Sequence, residues 1–196
     1  MAGRYVDDEY YDEEYRHQMP LWLDLFITAV VTVAVVMLVR IFIVDTYEVP
    51  TGSMLETIQL GDRLIGEKIS YYQRSPQRGE IVTFKDPVDP RVTLIKRVIA
   101  TEGQVVELID GTVYVDGEAL DEPYINGAVT EPIDRHARTL DEDISYPYIV
   151  PDGCVWLMGD NRGNSLDSRY FGAVPTKDVM AHAIYIFWPP SDAGEL

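Results

Sequence analysis

With 196 residues, 46% of them apolar, the chain is long enough to bury a core, and disorder throughout is excluded. Its 16 basic and 33 acidic residues give a formal charge of -17, which repels phosphate backbones and argues against nucleic acid as a partner. The single cysteine, Cys154, cannot form an internal disulfide; beside Val155 and Trp156 it reads as a small buried apolar residue, so the fold must stand on packing alone.

Residues 1–19 are rich in Tyr, Asp and Glu without apolar periodicity, which predicts a disordered acidic tail. Residues 20–44 change character: from Leu21 to Val44 the run is largely apolar and only Asp24 and Arg40 carry charge. Crossing ~30 Å of hydrocarbon takes about 20 such residues in a helix, Arg40 can snorkel toward headgroups, and Trp22 suits an interface. Asp45-Thr46-Tyr47-Glu48 offers no small-x-small site, so the segment reads as a retained single-pass anchor and not as a cleaved leader. Arg4 and Arg16 alone precede it as basic residues, and charge by itself leaves the topology open.

Beyond the anchor no helix-period run occurs. Short β-rich segments recur between turn signals: 63–69, 80–84, 92–100, 105–108, 112–115, 154–158 and 181–188. Asp110-Gly111 and Asp116-Gly117 read as tight hairpin turns. Residues 126–148 are acidic and weakly patterned, as in an insertion standing off the core. The predicted fold class is mainly β: small antiparallel sheets forming a core from 45–104 and 153–196, a small β insertion over 105–152, and one N-terminal transmembrane helix.

Three segments stand out: Val49-Pro50-Thr51-Gly52-Ser53-Met54, Leu94-Ile95-Lys96-Arg97-Val98-Ile99, and Gly159-Asp160-Asn161 through Arg169. Singly, each has a bland reading: a turn serine, a solvent-facing strand lysine, a loop bonded to its own backbone. Together, in this order and spacing, they resemble the type I signal peptidases, also called leader peptidases. Pro50 to Met54 is similar to that family's nucleophile box, Gly61 to Lys68 and Arg78 to Phe84 to its next two, Lys96-Arg97-Val98 to its lysine box, and Gly159 to Arg169 to its last. Two departures are Met54-Leu55-Glu56-Thr57, which lacks a turn proline, and Ala100-Thr101-Glu102-Gly103-Gln104, where Gly and Asp are common.

The resemblance implies a serine endopeptidase in which Ser53 attacks the scissile carbonyl and Lys96 is general base. A lysine can take that proton only when neutral, so Lys96 must be buried; lowering it from about 10.4 toward 7 or 8 is roughly 4 kcal/mol of differential solvation. By the same resemblance, Ser53 N–H and the Thr51 side chain hold the oxyanion and Ser165 orients the amine. Arg97, Asp160, Asp167 and Arg169 brace the loop, and Tyr47, Val49, Leu64, Thr83 and Ile95 line pockets for an extended peptide; core packing is the ordinary reading of those five. The implied partners are signal peptides of exported preproteins and the lipid bilayer. The implied setting is a bacterial plasma membrane, with the N-terminus cytoplasmic and the catalytic domain outside.

Rival chemistries fare worse. His17, His136 and His182 have no Ser and Asp in a triad order. A calcium loop from Asp160 would need acidic or amide residues where Arg162 and Phe171 stand, so neither a metal nor a cofactor is expected. Two other readings stay open: a processing peptidase with one dedicated substrate, and a catalytically inactive, membrane-tethered peptide-binding module, for which Glu56 and Ala100 are the departures to weigh.

Overall fold

The structure, a computed structural model, describes residues 20–140 and 143–196; the acidic tail lies outside them. Helix α1, Leu21–Phe42, is apolar on every side with no buried residue, the pattern of a helix whose surroundings are themselves apolar. Asp24 in its first turn and Arg40 in its last complement the helix dipole. Its 22 residues, at about 1.5 Å each, are long and apolar enough to cross a membrane.

The helix stops at Phe42, two residues short of the expected end, because Val44 already belongs to strand β1 (Val44–Glu48), which sequence reading did not anticipate. β1 pairs antiparallel with β2 (Arg63–Glu67), Tyr47 opposite Leu64. A four-residue helix α2 (Ser70–Gln73) follows, then β3 (Ile81–Lys85) and β4 (Thr93–Thr101). The insertion supplies β5 (Val105–Ile109), β6 (Thr112–Val115), β7 (Glu118–Ala119) and β8 (Tyr148–Ile149). The chain then runs through β9 (Cys154–Met158), helix α3 (Ser168–Phe171), β10 (Val174–Pro175), β11 (Val179–Trp188) and β12 (Gly194–Glu195).

The fold class is mainly β, as expected. One sheet has the order β1-β2-β11-β3-β4-β9-β10 with β12 on β11; the second runs β7-β6-β5-β8, and every pairing is antiparallel. Asp110 and Gly111, both at positive φ, close the β5–β6 hairpin, the backbone that Asp-Gly favours in a two-residue turn.

Burial alternates along β2, β6 and the first half of β11, whereas β3, β4 and β9 are buried in continuous runs. Val82, Phe84, Val98, Leu157 and Phe171 form one core cluster; Met54, Ile58, Leu64, Ile81 and Ile186 form another. A third, with Ile99, Val106, Val113, Trp156 and Met158, joins the second sheet to the first. Cys154 is only half-buried, at the edge of that third cluster.

The stretch 126–148 holds no strand before β8 among the described residues, but it does not stand off the core. Ala137 is buried in the first cluster and its N–H donates to Tyr170 O at 2.8 Å, while buried Thr130 accepts from Arg162. Single contacts of this kind leave no periodic trace in a sequence.

Candidate active site

Ser53 sits on a loop tied at both ends: Val49 N–H donates to Asp62 O at 2.9 Å and Gly61 N–H to Val49 O at 2.8 Å. Met54 and Ile58, both fully buried, pin the loop into the core, so the serine is held by packing. Asn161 grips the same backbone twice, its N–H donating to Ser53 O at 3.1 Å and its Nδ2 to Gly52 O at 2.8 Å.

Lys96 occupies mid-β4 opposite Val82 of β3. Its Nζ lies 2.6 Å from Ser53 Oγ and donates to Ile95 O at 2.8 Å; the residue is 2% exposed. Burial pushes the amine from 10.5 down to about 8, against the opposing pull of the Asp167, Asp160 and Asp86 carboxylates. Burial thus brings the neutral amine, the form that can accept a hydroxyl proton, within reach near physiological pH, where an ordinary lysine is almost wholly charged.

Two bidentate ion pairs brace the neighbourhood. Arg97, next to Lys96 on β4, sends Nε and Nη2 to Asp160 at 2.9 and 2.6 Å, and Nη1 to Gly79 O at 2.9 Å. Thr57 Oγ1 also donates to Asp160, at 2.6 Å. Asp167 accepts from Gly159 N–H at 3.0 Å and takes both Nε and Nη2 of Arg169 at 2.9 Å. Asp160, from which a calcium loop would start, is thus consumed by Arg97, and no metal-holding cluster occurs among the described residues.

Sequence reasoning missed several members of this network. Arg162 is buried and paired with Glu122; its Nε donates to Gly159 O at 3.1 Å and its Nη1 to Thr130 Oγ1 at 2.7 Å. Tyr124 stacks under Arg97, with the guanidinium 3.9 Å from its ring centroid. Gly159 is required by close approach: a Cβ there would lie 2.3 Å from Ser165 Oγ and 2.5 Å from Ser53 O. Its place in the Gly159-Asp160-Asn161 segment was the one signal available for it.

The remaining expected residues fall as follows. Ser165 is buried beside this approach, and its Oγ has no hydrogen-bond partner among the described residues; Lys96 Nζ is bonded to Ser53 and Ile95 instead. Thr51 is exposed beside Ser53. Tyr47, Val49, Thr83 and Ile95 come together with Thr51 and Lys96 along one cleft. Leu64 is fully buried in the core and is not among the described residues lining that cleft: in β2 the inward side of the pleat buries Leu64 and Gly66. β9 covers β4 only from Arg97 to Thr101, so Thr93–Lys96 presents an open backbone edge along the cleft. His136 lies against Asp143 and His182 against Glu67, and neither lines the Ser53 cleft; His17 is outside the described residues.

A mainly antiparallel β protein with a serine hydroxyl in contact with a buried lysine amine, beside an open strand edge, defines a site built to act on an extended chain. The chain belongs to the signal peptidase family, peptidase S26, whose model matches residues 22–188. It is 40% identical over 174 residues to a Synechocystis protein named probable signal peptidase I-1, across 85% of this chain and 82% of that one. It is 35% identical over 175 residues to an Arabidopsis thaliana protein named probable thylakoidal processing peptidase 2, chloroplastic, covering 86% of this chain and 44% of that one. A signal peptidase I crystal structure from Enterococcus faecalis matches with 34% identity and a TM-score of 0.45, over 56% of this chain and 97% of that one. The chain is therefore a peptidase, a hydrolase of peptide bonds.

Proposed function

We propose that this peptidase is a membrane-bound serine endopeptidase that removes signal peptides from exported preproteins after a small-x-small site, with Ser53 as nucleophile and Lys96 as its base. One observation carries the reading: Lys96 Nζ lies 2.6 Å from Ser53 Oγ in a site that burial holds near pKa 8.

Ser53 Oγ attacks the scissile carbonyl carbon as its proton passes to Lys96 Nζ, and the carbonyl π pair moves onto oxygen. The Ser53 N–H and Thr51 hydroxyl meet that oxyanion, each such donor contributing about 3 kcal/mol in the transition state. Collapse breaks the C–N bond, and Lys96 returns the proton to the departing amine. Water, deprotonated by the same amine, then hydrolyses the ester and restores Ser53. Ser165, whose Oγ is buried without a partner among the described residues, orients the amine in the loaded site. Arg97, Asp160, Asp167 and Arg169 keep the loop in register.

The signal peptide adds as a strand beside Thr93–Lys96, its small side chains against Tyr47, Val49, Thr83 and Ile95. Leu64 shapes that cleft from the core beneath. The arrangement proposed is a membrane anchor over 20–44, a catalytic core from 45–104 and 153–196, and an insertion over 105–152. The N-terminus is cytoplasmic and the core lies outside a bacterial plasma membrane.

The test is preprotein cleavage by the full chain in detergent. Ser53→Ala and Lys96→Ala each abolish cleavage while circular dichroism stays native; full activity in either variant overturns the assignment.

A further inference from the structure

Two clefts meet at Thr51, Leu94 and Lys96, beside Ser53. The first, along Tyr47–Thr51 and the start of β4, takes the signal-peptide side in the reading above. The second, about 550 Å³, has the size of a ligand site and is lined by Ser53, Asp86, Leu94, Arg135, Leu166 and Tyr170 among others. They share Thr51, Leu94 and Lys96. An extended chain whose scissile carbonyl rests at Ser53 therefore passes from one cleft into the other.

We propose that the second cleft holds the residues following the scissile bond and that Arg135, contributed by the insertion, makes it select an acidic side chain among the first few of them. The proposal rests on the peptidase reading and extends it to the leaving half of the substrate.

The charges lining this cleft are unevenly committed. Lys96 is against Ser53, and Arg162 is buried in its pair with Glu122. Arg135 has no carboxylate partner among the described residues; its guanidinium lies 5.9 Å from the Tyr170 ring centroid, a cation held to the wall by an aromatic face. Asp86 also lines the cleft, from the β3–β4 connection, its Oδ1 accepting from Val88 N–H at 2.8 Å. The lining is thus positive on the insertion's side and negative on the core's. Apolar surface between them comes from Leu94 and from Leu166, which is 46% exposed. An acidic peptide side chain gains by approaching Arg135 and loses by approaching Asp86, so the cleft fixes where along the leaving segment the acid belongs. In this reading the insertion has a catalytic use: it completes a wall that the first sheet lacks.

The experiment uses the full chain in detergent at low salt. Its probes are fluorogenic peptides identical through the scissile bond and differing only after it, with Glu, Gln or Lys at successive positions, plus one truncated just past the bond. The wild type cuts the best Glu peptide about fivefold faster in kcat/KM than its Lys counterpart, the size of an exposed ion pair. Arg135→Gln brings that ratio near one, Arg135→Glu inverts it, and added salt flattens it in each. The truncated peptide loses about tenfold, mainly in kcat, because remote binding energy is used in the transition state. An unchanged Glu-to-Lys ratio in all three proteins, or a truncated peptide cut as fast as the long ones, overturns the inference while leaving the peptidase reading intact. A wild type that cuts none of the peptides sinks both.

Discussion

Replacing Lys96 with Met should make the protein more stable and inactive, and the stability gain should depend on pH in a way no packing effect can copy. Met nearly matches the lysine stem in volume while removing the amine. Burial lowers that amine from 10.5 to about 8, so the folded state disfavours its protonated form by about 2.5 units. At 1.36 kcal/mol per unit this is about 3 kcal/mol. Above pH 10.5 the amine is neutral in both states and this cost is absent. Between 10.5 and 8 the unfolded chain takes up the proton first, and below 8 the full cost is in place. Guanidinium unfolding of the two full-length proteins in the same detergent, from pH 6.5 to 10.5, isolates the effect, since other titrating groups cancel in the difference. The difference should favour Lys96→Met by about 3 kcal/mol at neutral pH and shrink steadily above pH 8, toward a constant set by the two lost hydrogen bonds. A difference that stays flat across that range, or grows toward high pH, refutes the claim that burial lowers the pKa of the amine.

Activity should follow the same titration: kcat/KM falls tenfold per pH unit below about 8, and equal rates at pH 6 and 8 would contradict a Lys96 base. Asp160→Asn leaves Arg97 buried without its carboxylate, a loss of about 3–5 kcal/mol measurable by denaturant. It also removes an anion that raises the amine, so the acid limb of the activity profile should move to lower pH; a limb moving upward would refute this account of the site. Gly159→Ala, whose Cβ would meet Ser165 Oγ at 2.3 Å and Ser53 O at 2.5 Å, should cut kcat by about 100-fold with KM little changed, because it displaces the nucleophile's backbone. Wild-type kcat in that variant would mean the loops separate freely. Ser165→Ala removes a buried hydroxyl that has no partner among the described residues, so thermal unfolding should be unchanged or slightly raised while kcat drops; a large destabilisation would mean the hydroxyl is bonded in solution.

The strands were legible as short β-rich runs between turn signals, alternating along β2 and continuously apolar along β9. Leu64 and Ala181 alternate with neighbours of other exposure, and Asp110-Gly111 punctuates a hairpin as a two-residue turn requires. β1 was not legible: Val44 continues an apolar run, and a short apolar strand at the end of a longer apolar helix carries no boundary signal of its own. The Ser53 and Lys96 contact joins residues 43 positions apart; residue order and family resemblance suggested it, but no local rule could. The Arg162 pair with Glu122 shows the opposite case. Charged residues in polar loops read as solvated, and only the fold reveals that these two are buried across 40 positions and tie the insertion to the loop beneath the serine. Gly66 was missed for the same reason: its lack of a side chain matters only because Tyr47 Cε2 would lie 2.8 Å and Ala181 Cβ 2.9 Å from a Cβ there.

The amine's low pKa is a balance in which removal of water wins against three carboxylates pulling the other way. Two of them, Asp160 and Asp167, are each clasped in a bidentate fork by Arg97 and Arg169, which returns positive charge to within hydrogen-bond distance of each anion. Without those arginines two bare anions would oppose the burial of the amine and push it back toward its ordinary charged state. Buried ion pairs of this kind add little stability over an apolar core of the same shape. Their value here is to supply a rigid polar loop that grips Ser53 O and Gly52 O through Asn161, while leaving little net charge for the amine to feel. The lysine can then be governed by its apolar surroundings even though its loop is built from charged residues.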